Sequence, residues 1–208
     1  MNCVCPLERK EKGSLLHKIA KVIRGVTVPP VMVASLLIVL WFGTNVFSSV
    51  WEFAWMMLLL AVVPVLAYIA QKLLSGFREG GQKAQRKLAF VFSFLGYGAA
   101  VVVCALCDAV PNQLYIAVVY LVSVVILTAI NCLTPWHASG HACSLMGPLV
   151  LASLFVGWYA IPISLVVYVA SFWASIYMKR HTVREFLLGS LSSTLSAVLC
   201  YFFIHPIF

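Results

Sequence analysis

After Val28 the chain alternates long apolar blocks with short polar breaks, and the blocks are too long for strands. They predict seven helical spans: Pro30–Phe47, Phe53–Leu74, Leu88–Cys107, Gln113–Leu133, Ala142–Gly157, Tyr159–Met178 and Phe186–Ile204. Crossing a hydrocarbon core roughly 30 Å thick takes about 20 apolar residues, which most of these blocks approach. The fifth is short and the break at Gly157–Tyr159 is weak, so six spans with one kinked element is the alternative reading. Pro64 and Pro162 fall inside blocks, where neighbouring helices can satisfy a freed carbonyl, and they predict kinks, not ends. Ahead of the first span, Leu15, Leu16, Ile19, Ala20, Val22 and Ile23 are interleaved with His17, Lys18, Lys21 and Arg24. That spacing suits a basic amphipathic helix in the membrane interface; a solvated basic tail is the other reading. The expected organisation is a basic tail over residues 1–29 and one transmembrane domain over 30–208, an all-α polytopic helix bundle with no room for a second, soluble domain.

Composition agrees. Of 208 residues, 63% are hydrophobic and only 10% charged, so lipid must cover much of the surface. The seven cysteines, at 3, 5, 104, 107, 132, 143 and 200, form no pair of CxxC units, and a structural zinc site is not expected. No cleavable signal peptide is evident, because Met1 to Thr27 carries six Lys or Arg through a polar stretch.

Charge gives the chain an orientation. Threading from the N-terminus puts the tail, Lys72–Lys87, Pro135–His141 and Lys179–Arg184 on one side, and all 14 Lys and Arg lie in those segments. The opposite loops hold Glu52, Asp108, Pro111 and Asn112. The positive-inside rule then expects the N-terminus and the charged side in the cytoplasm, as in a bacterial inner membrane.

Three of the five histidines, His137, His141 and His181, fall on that charged side, where ionisable groups at membrane depth are functional suspects. His141 opens one span within Ala138-Ser139-Gly140-His141-Ala142, and His181 opens another, two spans later. On a helix His181 and Glu185, four apart, would share one face. The carboxylate could fix the tautomer of the ring and make its other nitrogen a better nucleophile. Two further spans separate the basic loop Lys72–Lys87 from His141, so three motifs should converge on one membrane surface. Cations and backbone amides there would bind a phosphate, one histidine would attack phosphorus and the other would protonate the leaving oxygen. His137 is expected to cap or line the entrance, His17 to join the polar face of the tail, and His205 to sit at the far interface. Gly189 and Ser193 form a small-xxx-small pair suited to close helix packing.

The arrangement resembles the type 2 phosphatidic acid phosphatase family, whose core is shared with vanadium haloperoxidases. That family has a Lys/Arg-bearing first motif, a second motif Pro-Ser-Gly-His, and a third in which Ser-Arg precedes His-x-x-x-Asp. Ala138-Ser139-Gly140-His141 corresponds to the second, and His181-x-x-x-Glu185 followed by Gly189 to the third. The resemblance implies His181 as nucleophile, Glu185 as its orienting partner and His141 as general acid. It also implies Ser139 and Gly140 as phosphate contacts and a reaction that needs no metal or other cofactor. Ala138 stands for the family proline, Glu185 for its aspartate, and Ser175 where the family has an arginine six residues before the nucleophile. Arg180, Lys179 and Arg184 are the candidates to replace that charge. No Lys/Arg pair in the basic loop has the first-motif spacing of seven, and Lys83, Arg86 and Lys87, at the mouth of the next span, are the best candidates for its role.

The leading expectation is a lipid phosphate phosphohydrolase working through a phosphohistidine, with a lipid phosphate as substrate and no nucleic-acid partner. A phosphotransferase and a non-catalytic headgroup- or partner-binding protein of the same fold are the alternatives. A small transporter is disfavoured by span interiors that hold Ser, Thr and Asn131 but no charge pair.

Overall fold

The computed structural model describes residues 15–73, 81–107 and 110–204, and all regular structure among them is helical. The helices are α1 (Leu15–Val26), α2 (Pro29–Gly43), α3 (Val50–Leu73), α4 (Gly81–Leu106), α5 (Pro111–Leu133), α6 (Gly140–Phe155), α7 (Ala160–Tyr177) and α8 (Val183–Ile204). Helices α3, α5, α7, α8 and the Lys87–Leu106 part of α4 are long and apolar enough to cross a membrane. The pair α1 and α2 passes the same test together, although it is bent by 59° at its junction. That makes five or six spans by length and composition. The two expected spans that fall short are the first and the fifth: α2 has 15 residues and α6 has 16. At 1.5 Å per residue, helices of that length reach only about 22–24 Å.

The bend between α1 and α2 has a local cause. Pro29 and Pro30 open α2 and push Val28 into an extended conformation (φ −66°, ψ 149°), which stops α1 at Thr27. The stripe His17–Ala20–Arg24–Thr27 of α1 is turned toward the protein and packs along α7, with Ala20 fully buried. Leu15, Ile19, Val22 and Val26 form the opposite, exposed stripe. Residues 15–26 thus form a helix whose exposed stripe is apolar.

Short connections make successive helices from α2 onward antiparallel. One end of the bundle gathers the C-termini of α1, α3, α5 and α7 and the N-termini of α2, α4, α6 and α8. A bond from Gln71 Nε2 to the Gly81 carbonyl oxygen (3.0 Å) ties α3 to α4 there. At the opposite end, Gln113 is fully buried and donates to the Val46 carbonyl (2.9 Å) and to Glu52 Oε2 (2.7 Å), pinning the α2–α3 loop onto α5. The main core lies between, around Leu37, Leu40, Met56, Leu60, Tyr115, Ile116 and Leu151.

The two prolines expected to kink their spans, Pro64 and Pro162, sit differently. The turn Leu58–Val62 just before Pro64 widens to a π-helix, with the Val63 amide bonded to the Leu58 carbonyl. Such a bulge absorbs the bond that Pro64 cannot make. Gly96 of α4 packs directly against the Leu59 carbonyl in that turn. Pro162, in contrast, lies in the first turn of α7, where its missing N–H has no intrahelical acceptor to serve.

Candidate active site

The Ala138–His141 segment is held from three directions. Asn131, in the last turn of α5, accepts from the Ala138 amide with Oδ1 (2.8 Å) and donates to the Ala138 carbonyl with Nδ2 (3.3 Å). The Ser139 amide donates to the Glu185 carbonyl oxygen (2.9 Å), a backbone bond that joins the start of α6 to the start of α8. Ser139 is 2% exposed and its hydroxyl accepts from the Ala142 amide (3.2 Å), so it caps α6. The hydroxyl expected to contact phosphate thus accepts from the helix terminus and keeps its own proton to donate, and Gly140 next to it is exposed.

Close packing fixes this geometry. A Cβ at Gly189 would run into the Ser139 carbonyl oxygen, and one at Gly147 would lie 3.0 Å from Ser193 Oγ. Gly189 and Ser193 are both buried against α6, as the small-xxx-small pair suggests. Gly189→Ala is expected to destabilise the purified protein by about 1–3 kcal/mol, because the obstacle is backbone and cannot rotate away. Gly98, in α4, has open space around it. Thermal unfolding in detergent should therefore show a lower midpoint for Gly189→Ala and no loss for Gly98→Ala.

The second histidine stands just outside α8. Helix α8 begins at Val183, and Thr182 and Glu185 form a capping box: the Glu185 amide donates to Thr182 Oγ1 (3.2 Å) and the Thr182 amide to Glu185 Oε2 (3.0 Å). His181 therefore does not share a helical face with Glu185, contrary to expectation. The pair still meets, because the same Oε2 lies 3.6 Å from His181 Nδ1. His181 and Glu185 are 15% and 29% exposed, neither buried outright nor fully in water. A cleft of about 280 Å³ lies beside them, lined by Ile176, Lys179, Arg180, His181 and Thr182.

His141 faces α1 and α7. Its Nε2 is 3.4 Å from Thr27 Oγ1 and 3.4 Å from Ser171 Oγ, and those two hydroxyls are 3.3 Å apart. One turn further along α7, the fully buried Ser175 accepts a 2.9 Å bond from Arg24 Nη1. Arg24 is near enough to His141 and to Arg180 to act on both electrostatically, and His181 acts on His141. The two histidines, Arg24 and Arg180 thus share one electrostatic neighbourhood and, among the described residues, a single carboxylate, Glu185. Such a cluster favours an anion.

The other sequence candidates fall around or away from this cluster. Lys87 is exposed on α4 at the same end of the bundle, with no hydrogen bond or ion pair among the described residues. The side chains of Lys83 and Arg86 lie outside the described residues, as does His205. Arg184 is committed elsewhere, stacked 4.1 Å over the Trp136 ring. His137 is exposed on the loop before α6. Thr27, Ser171 and Arg24 belong to the cluster and were not expected in it. Among the described residues no three His, Cys, Asp or Glu side chains group as metal ligands would. No protein-family profile, curated protein or solved structure matches this chain.

Proposed function

We propose that the protein is an integral-membrane lipid phosphate phosphohydrolase that works through a phosphohistidine and needs no metal. The observation that carries this reading is the meeting, at one end of an apolar bundle, of a histidine paired with a carboxylate and a second histidine set among hydroxyls and arginines. Glu185 Oε2 at 3.6 Å from Nδ1 of His181 orients the ring and leaves Nε2 as the attacking atom. Attack forms the P–N bond and breaks the bond from phosphorus to the lipid oxygen. That oxygen takes its proton from His141, whose Nε2–H is held by Thr27 and Ser171 until the leaving group approaches. Water then cleaves the P–N bond, releases inorganic phosphate and restores both imidazoles. A site at the bundle end suits a substrate whose phosphate lies at headgroup level while its tail stays in lipid.

The fold in this reading is the type 2 phosphatidic acid phosphatase bundle. The chain passes the membrane seven times from α2 to α8, with the N-terminus and the site in the cytoplasm of a bacterial cell. The motif match described above and the one-sided Lys and Arg support it. A reporter fused to the C-terminus is expected on the outer side and one fused to the N-terminus in the cytoplasm. Both reporters on one side would exclude an odd number of passes.

The function is tested by inorganic phosphate release from a panel of lipid monophosphates and polyprenyl diphosphates. Purified protein should release phosphate from at least one of them at the same rate with and without a chelator. No release from any member would reject the phosphohydrolase. Transfer of the phosphoryl group to an added alcohol in place of water would reassign it as a phosphotransferase.

A further inference from the structure

Arg24 is the unusual cation of the site. It comes from α1, outside the bundle proper, yet it is half-buried and directed inward by the same helical stripe that buries Ala20 and brings Thr27 to His141. Among the described residues its one hydrogen bond is to a neutral hydroxyl, Ser175 Oγ, at 2.9 Å. Among the described residues no carboxylate pairs with it. A guanidinium has five N–H donors in a planar fork suited to carboxylate or phosphate. Holding one half-buried against a single serine, with Arg180 close enough to repel it, is costly unless an anion occupies the remaining donors. Thr27 and Ser171, beside His141, add hydroxyls on the same side.

We propose that Arg24 is a phosphate-binding residue of the active site, supplied by the N-terminal helix, and that Ser175 holds its guanidinium in place. The proposal rests on the phosphohydrolase reading and adds a substrate contact to it. It also gives α1 a role beyond the interface: packed along α7, the helix delivers Arg24 to the site, and its exposed stripe of Leu15, Ile19, Val22 and Val26 keeps it at the depth of the headgroups. The space beside the buried Ser175 of α7 is filled by an arginine from another helix.

The test compares full-length wild type, Arg24→Ala, Arg24→Lys, the double variant Arg24→Ala/Ser175→Arg, and Lys21→Ala on the exposed face of α1. Each is assayed for orthovanadate binding by titration and for phosphate release from the substrate found for wild type. Losing a charge-assisted bond to an anion is worth about 10–100-fold in affinity. Arg24→Ala should therefore bind vanadate about 10–100-fold more weakly and lose turnover. Lys21→Ala should match wild type. In the double variant, a guanidinium grown from α7 into the vacated space should recover binding that Arg24→Ala lacks. Arg24→Lys keeps charge and bulk, so it should fold and bind with intermediate affinity; it decides the matter if Arg24→Ala does not fold. Wild-type vanadate affinity in Arg24→Ala or Arg24→Lys, with an active wild type, would overturn the role of Arg24 alone. A wild type that neither binds vanadate nor releases phosphate would overturn the phosphohydrolase reading and this proposal with it.

Discussion

His181→Ala is expected to abolish turnover on every substrate, activated or not. If His181 supplies the nucleophile, its loss leaves no route to the P–N intermediate, and a better leaving group cannot compensate for a missing attacking atom. The check is kinetic and chemical together. Phosphate release should fall to background on both a lipid monophosphate and a nitrophenyl phosphate, and acid quenching should trap acid-labile phosphate on wild type but none on the variant. Retained hydrolysis of the nitrophenyl ester would show that the nucleophile lies elsewhere. Glu185→Gln should behave differently. Its amide can still accept at the Thr182 N–H and face His181, but without the charge that stabilises the imidazolium. Attack should slow while trapping of the intermediate survives.

His141→Ala should divide substrates by leaving group. General acid help is typically worth about 10²–10⁴-fold, and most where the departing oxygen is a poor leaving group such as an alkoxide. A lipid monophosphate should lose activity across that range, whereas a nitrophenolate, which needs little protonation, should lose much less. Equal losses on both would mean that His141 positions phosphate and does not protonate the leaving oxygen. The hydroxyls of Thr27 and Ser171 at 3.3–3.4 Å give this prediction a second handle. Removing either should sharpen the dependence on leaving group less than removing the imidazole itself.

Much of the fold could be read from the chain because lipid imposes a coarse rule. Blocks near the length of a span, separated by polar breaks, mark helices with little ambiguity, and every predicted block contains a helix among the described residues. The margins were less legible. The first and fifth blocks form helices of 15 and 16 residues, since Pro29-Pro30 and the Ser139 cap fix where α2 and α6 begin. The histidine motifs were visible because histidine is conspicuous in so apolar a sequence. Their local geometry was only half legible. Thr182-x-x-Glu185 is a capping-box pattern, and it would have placed His181 ahead of the helix. Arg24 was missed for a different reason. Within α1 its place on the stripe with Ala20 and Thr27 is readable, but nothing local says that this stripe lies along α7. Ser171 and Ser175, four apart in an otherwise apolar helix, were the complementary hint. The π-turn before Pro64 has no sequence signature beyond the proline itself.

The backbone bond from the Ser139 amide to the Glu185 carbonyl, with Gly189 seated on Ser139, separates the chemistry from the order of the chain. The two histidine motifs are fastened to each other at one end of the bundle, whereas the polypeptide linking α6 to α7 turns at Gly157, at the other. Gly157 takes φ +87° with open space around it. The hairpin is therefore a seam. A chain opened there, and expressed as two pieces, retains on each piece one half of the interlocking contact that sets the spacing of the motifs. The connection at the seam can be cut or extended beyond Gly157 by an engineer with less consequence for the motifs than any change at the rim that carries the histidines.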